Sequence, residues 1–93
     1  MTDFLLNKFA VENGFFINKD LSVEKSFDFD NEDDAKSLIA GLEKSHFFRA
    51  DMSDGGDIEG EPWYVVTVYI DLEKVCKPDV TLSMLQSEYK ASI

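Results

Sequence analysis

Apolar positions along this chain follow a helical period in three stretches and a period of two in the stretches between them. The first helical stretch runs from Thr2, a good N-cap residue, to Gly14, a typical C-terminal stop. Phe4, Leu5, Leu6, Phe9, Ala10 and Val11 lie between them, and Asp3 stands in the first turn. A helix over 3–13 is predicted. Its apolar residues cover most of the circumference, so it is expected to pack against two surfaces.

Two extended runs follow, FFIN (15–18) and 21–30, separated by the turn chemistry of Asn18-Lys19-Asp20. In the second run Leu21, Val23, Phe27 and Phe29 share one face, while Ser22, Glu24, Ser26, Asp28 and Asp30 share the other. Only Lys25 breaks the apolar side. This pattern is a half-buried strand, expected to form a hairpin with FFIN. Asn31 or Asp30 then caps a second helix, whose first turn holds Glu32, Asp33 and Asp34, where the macrodipole favours negative charge. Ala35, Leu38, Ile39 and Leu42, at i, i+3, i+4 and i+7, give it a buried face.

Alternation returns in His46–Met52, with Phe48, Ala50 and Met52 on one face and Phe47, Arg49 and Asp51 on the other. SDGGDIEGE (53–61) has no apolar period and reads as a glycine-rich acidic loop. After Pro62 comes the strongest strand, 63–72, with Tyr64, Val66, Val68, Ile70 and Leu72 inward and Trp63, Val65, Thr67 and Tyr69 opposite. Glu73–Lys77 is expected to be a short connection. A last helix, begun by Pro78 or capped by Asp79, carries the stripe Leu82, Leu85, Tyr89 and Ile93.

From Leu21 onward the order is βαββα. The expected fold is α+β: one domain over 1–93, with an N-terminal helix and edge strand (1–20) and a two-layer core (21–93). Its antiparallel sheet is expected to be ferredoxin-like, with the helices on one face. The last strand of a ferredoxin-like unit has no counterpart before Ile93. That strand would lie antiparallel beside 21–30, so FFIN is expected to occupy the same edge.

Composition narrows the functional classes. With 44% hydrophobic and 13% aromatic residues, intrinsic disorder is disfavoured, and 93 residues suit a single small core. Nineteen acids against nine bases give a net charge of −10. The bases are scattered and form no run, so direct nucleic-acid binding is not expected. The acid serves either solubility or a partner with a basic surface. Cys76 is the only cysteine, which excludes an intramolecular disulfide and a thiolate metal cluster; it is expected to be partly buried at the end of a strand. The N-terminal stretch lacks a basic n-region, and no apolar run approaches the ~20 residues of a membrane span. A cytoplasmic protein with no membrane association is expected.

No catalytic constellation stands out, and no enzyme activity, cofactor or metal is expected. An EF-hand loop begun at Asp28 would need Gly at its sixth position and Glu at its twelfth, where this chain has Asp33 and Ile39. The 54–61 loop lacks the Gly-Lys-Ser/Thr ending of a phosphate cradle. His46, the only histidine, follows a helix and suits its exposed carbonyls. The candidate partner-binding residues are Asp28, Asp30, Glu32, Asp33, Asp54, Asp57, Glu59 and Glu61, with Trp63 and Tyr69 as anchors. Trp63, Thr67 and Tyr69, with Phe47 and Arg49, can line the sheet face away from the helices. That face is a protein-binding patch, a base-stacking platform, or a surface covered by the first helix.

The strand SFDFD, the helix NEDDAKSLIAGLEKS leading to HFFRADM, the acidic break, WYVVTVYIDL and the PDVTLSMLQSEYKAS helix together resemble the regulator of ribonuclease activity B family. The likeness covers about three-quarters of the chain. It implies a small acidic bacterial protein with a ferredoxin-like core that inhibits ribonuclease E. The family's last strand, with its Tyr-Asp-Gly-Trp-type ending, has no match here. The expected function is a non-enzymatic, protein-binding regulator with a basic partner, most concretely a ribonuclease inhibitor. The alternative is an immunity or antidefence protein that blocks a nuclease by nucleic-acid mimicry. An RNA- or small-ligand-binding domain is a third class. The chain is expected to be a monomer, or a dimer paired through a sheet edge.

Overall fold

Thr2 accepts a hydrogen bond from the Leu5 N–H, and Gly14 closes the same helix in the left-handed region at φ 75°, so helix α1 spans Asp3–Asn13. The computed structural model describes residues 1–58 and 60–93, with side chains at 1–53 and 60–93. The elements that follow are β1 (Phe16–Ile17), β2 (Val23–Phe29), α2 (Glu32–Glu43), β3 (Phe48–Ile58) and β4 (Glu61–Ile70). A short helix α3 (Leu72–Val75) and α4 (Leu82–Ser92) complete the chain. The fold is α+β, with four antiparallel strands in the order β1-β2-β4-β3.

FFIN does pair with the following strand. Phe16 lies opposite Glu24, and Ile17 opposite Val23. The turn between them differs from expectation at Leu21, which takes a positive φ of 71° and is exposed instead of starting the apolar face of β2. Hydrogen bonds among Asn18, Asp20 and Ser22 hold that turn. The Asn18 N–H donates to Ser22 O, and the Asp20 carboxylate accepts from both the Ser22 N–H and its hydroxyl.

The core lies between the helices and one face of the sheet. Val66, Val68 and Ile70 of β4, Val23 of β2 and Phe48 of β3 pack with Ala35 and Leu42 of α2 and Leu85 and Tyr89 of α4. Leu6, Phe9 and Ala10 of α1 join the same cluster. Phe9, Phe15, Phe48 and Tyr89 form a quartet in which every pair of ring centroids is 5.4–6.3 Å apart. Tilted and edge-on contacts of this kind add to the stabilisation from burial itself. Gly41 permits a close approach of α2 to α4, since a Cβ there would stand 2.7 Å from Ser92 O.

Several expectations are corrected. α1 buries one side only: Phe4 and Val11, one stripe at i and i+7, remain 75% and 79% exposed. Among the described residues no second layer comes to meet them. Residues 53–58 of the expected loop are not free, because β3 continues to Ile58 and pairs with Glu61–Val65. A register shift between Asp54 and Gly56 absorbs one extra residue. The strand-forming Trp63-Tyr64-Val65 run supplies the ladder that the glycines and acids opposite do not themselves favour. β4 ends at Ile70, so Leu72 opens α3 within the expected connection. Neither Pro78 nor Asp79 starts α4; Thr81 caps it by accepting from the Met84 N–H. Ile93, expected on the buried stripe, is exposed. Cys76 is exposed after α3, not partly buried after a strand.

Candidate functional site

The sheet has one face that the helices cover and one that no described element covers. Register places the residues of the open face in rows. Phe16, Glu24, Tyr69 and Arg49 lie side by side across all four strands. Ser26, Thr67 and Asp51 form the next row, then Asp28, Val65 and Ser53. Trp63 follows on the same side of β4, since alternate residues of a strand share a face. Trp63 and Tyr69 therefore stand ~20 Å apart, at six residues of about 3.3 Å each. Val65 and Thr67 fill the interval, and all four are half-buried.

Charge is distributed unevenly around that stripe. Glu24 and Asp28 border it on β2, and Asp51 borders it on β3. Among the described residues of its rows the cation is Arg49, beside Tyr69, with its Nε 4.0 Å from Asp71 Oδ2. Its side chain is 74% exposed, so this pair contributes little to stability. A shallow cleft of about 270 Å³ opens at that end, lined by Ser22, Arg49, Tyr69, Asp71 and Glu73 among others.

The acids that sequence groups as one corner are separated in space and occupied locally. Asp28 lies on the open face, and Asp30 follows the end of β2. Glu32 and Asp33 belong to the first turn of α2, the helix layer, with Asp34 beside them. Asn31, and not Asp30, is the cap: its Oδ1 accepts from the Asp33 N–H at 2.7 Å and the Asp34 N–H at 3.3 Å. Glu32 pairs with Lys36 at 3.0 Å across one helical turn. Its hydrogen bond and then its charge hold the Lys36 ammonium above the usual 10.5. Among the described residues no group of three or more His, Cys, Asp or Glu is placed to hold a metal ion.

The second acidic group lies on an arm. β2 stops pairing with β4 at Phe29 opposite Tyr64, so beyond it β3 and β4 pair only with each other. Glu61 is exposed on that arm. Glu59 lies outside the described residues, as do the side chains of Asp54 and Asp57.

Phe47, expected on the open face, and His46, expected to serve the carbonyls at the end of α2, have different surroundings. Phe47 is buried in the core cluster and does not belong to the open face. It precedes β3, where its carbonyl accepts from the Asp71 N–H at 2.8 Å. The His46 side chain is exposed, while its backbone N–H donates to Glu88 Oε1 of α4 at 3.2 Å. Glu88 Oε1 also accepts from the Ser45 hydroxyl, tying α4 to the chain between α2 and β3.

Phe16 is the residue that sequence reasoning left out. It is 65% exposed beside Glu24 and extends the aromatic row. The signal was present in FFIN, because a strand that turns Phe15 and Ile17 inward must turn Phe16 outward. No helix in the described residues is long and apolar enough to cross a membrane. Compared with protein-family models, curated proteins and solved structures, the chain matches none.

Proposed function

We propose that this chain is a non-enzymatic, protein-binding regulator, most concretely an inhibitor of a ribonuclease, that engages its partner through the open sheet face. The observation that carries this reading is the row Phe16, Glu24, Tyr69 and Arg49, continued along β4 to Trp63. Tyr, Trp and Arg are the residue types that dominate binding energy at protein interfaces. Acid on both flanks and a net charge of −10 favour a basic partner and speed encounter with it at low salt.

The finer fold reading belongs to the same proposal. We take the sheet as ferredoxin-like, with β1 standing beside β2 where the last strand of that unit would lie. The order β1-β2-β4-β3 and the antiparallel β1–β2 pairing support it. The resemblance to the regulator of ribonuclease activity B family supplies ribonuclease E as the concrete partner.

A base-stacking role is the weaker reading. Phe47 lies in the core, which removes one aromatic from the platform, and Glu24, Asp28 and Asp51 would repel a phosphate backbone beside the rest. The test is cleavage of a fluorogenic single-stranded RNA by ribonuclease E in the presence of the purified chain. Inhibition that weakens with salt, and that Tyr69→Ala reduces at least tenfold, supports the proposal. Unchanged cleavage at every concentration overturns it, and a gel shift of the RNA by the chain alone favours the stacking role.

A further inference from the structure

β2 is seven residues long, and β1 pairs with only the first two of them, Val23 and Glu24. The Asn18 N–H bond to Ser22 O, at 2.8 Å, fixes which backbone groups point toward this side. Along an antiparallel strand, residues direct their N–H and C=O alternately to one neighbour and the other. Ser22, Glu24, Ser26 and Asp28 therefore face the β1 side, and the residues between them face β4. β1 and the turn take up Glu24 and Ser22. Ser26 and Asp28 open onto solvent, with no strand beside them among the described residues.

A groove of about 440 Å³ runs along this edge on the helix side. Phe27 and Phe29 of β2, Leu38 of α2 and Ile93 after α4 line it, with Asp34 at its rim. Open backbone groups thus adjoin an apolar channel, and the two features suit one kind of occupant.

We propose that this edge receives an extended segment of a partner protein as a fifth strand, with apolar side chains at alternate positions and Lys or Arg between them. The proposal rests on the protein-binding reading above and names a second contact for it. Backbone pairing with Ser26 and Asp28 supplies the attachment, as in other cases of strand addition. The side chains of an added strand alternate between the two faces. One set enters the groove against Phe27, Phe29 and Leu38. The other lies beside Asp28 on the open face, near Asp30 at the end of the strand.

Charge chooses between occupants. A second copy would bring its own Asp28 and Asp30 and a further net charge of −10 against the same edge. A basic strand meets opposite charge instead. Lys25 does not obstruct the edge, because its ammonium is turned inward onto Asn13 O and the Tyr89 hydroxyl.

The probe is a nine-residue capped peptide alternating Val or Ile with Lys or Arg. A scrambled peptide of the same composition, and one N-methylated on the amides that would face β2, serve as comparisons. Titration of the full chain should slow amide exchange at Ser26 and Asp28 at least tenfold with the alternating peptide. Ser26→Pro removes an outward N–H that takes no part in the β2–β4 ladder, and should weaken binding at least tenfold. N-methylation should do the same without altering the protein. Equal binding of the scrambled or N-methylated peptide overturns the proposal. So does protection of Ser26 and Asp28 without peptide, accompanied by a dimer in sedimentation, which would give the edge to a second copy. Ribonuclease E inhibition by an unmodified chain that binds none of the peptides overturns the edge site and leaves the open-face reading standing. Peptide binding at the edge without ribonuclease E inhibition does the reverse.

Discussion

The Lys25 ammonium reaches from the covered face of the sheet to the end of α1 and donates to the Asn13 carbonyl oxygen at 2.8 Å. Its second partner is the Tyr89 hydroxyl at 3.3 Å, and it sits 4.9 Å from the centre of the Phe27 ring. This resolves the one break in the apolar pattern of β2. A helix leaves its last carbonyls unpaired and carries partial negative charge there, and a cation satisfies both needs. Lys25→Ala is expected to destabilise the fold by about 2 kcal/mol, the range for hydrogen bonds to charged groups. Lys25→Met, which keeps the apolar stem, should cost about half as much. Urea denaturation of the three proteins checks the order.

Gly41→Ala should destabilise, against the usual helix preference. Alanine normally gains roughly 1 kcal/mol over glycine within a helix. Here the added Cβ would meet Ser92 O at 2.7 Å, and that neighbour is backbone. Moving α4 or opening its last turn should outweigh the gain, leaving a net loss of about 1 kcal/mol. Urea denaturation gives the sign, and faster amide exchange near Ser92 locates the cause.

Asn31→Ala tests the junction between β2 and α2. It removes the oxygen that holds the Asp33 and Asp34 N–H groups and should cost about 1 kcal/mol. Asp30→Ala should leave stability nearly unchanged, because Asp30 is exposed and does not cap the helix. Thermal melting of the pair separates the cap from its neighbour.

Asp20 gives a pH dependence of known sign. Hydrogen bonds from the Ser22 hydroxyl and then the Ser22 N–H hold its carboxyl below the ordinary 3.8. A carboxylate whose folded pKa is depressed stabilises the fold above the unfolded value, and that contribution is lost as pH falls through the folded value. Wild type should therefore exceed Asp20→Asn in stability at pH 7. The gap should close as the pH is taken below 3.8. Denaturation curves at pH 7 and in acid measure it.

Periodicity made the layers legible. Val23, Val66, Val68, Leu42, Leu85 and Tyr89 all stand where alternation or helical spacing put them. It failed where a neighbour and not the local sequence decides. Asp57 and Ile58 join β3 because Pro62 and Glu61 lie opposite them in the ladder, and no periodic signal of their own marks them. Phe4 and Val11 show the converse error, since apolar character predicts burial only where a partner surface exists. Trp63 and Tyr69 were legible as one face of β4, but their row with Phe16 and Glu24 depends on registers that no single segment contains. The acidic corner was legible as composition alone. In space Asp33 and Asp34 stand in the first turn that Asn31 caps, Glu32 joins an ion pair and Asp28 lies at the rim of an open face.

Trp63 is the only tryptophan of the chain, and it lies on the face assigned to the partner. The most direct test is fluorine NMR of the protein carrying fluorotryptophan, titrated with unlabelled ribonuclease E at low and then high salt. The single resonance should shift or broaden on addition of the partner and return as salt is raised. A resonance that stays unchanged throughout the titration would contradict the open face as the binding surface.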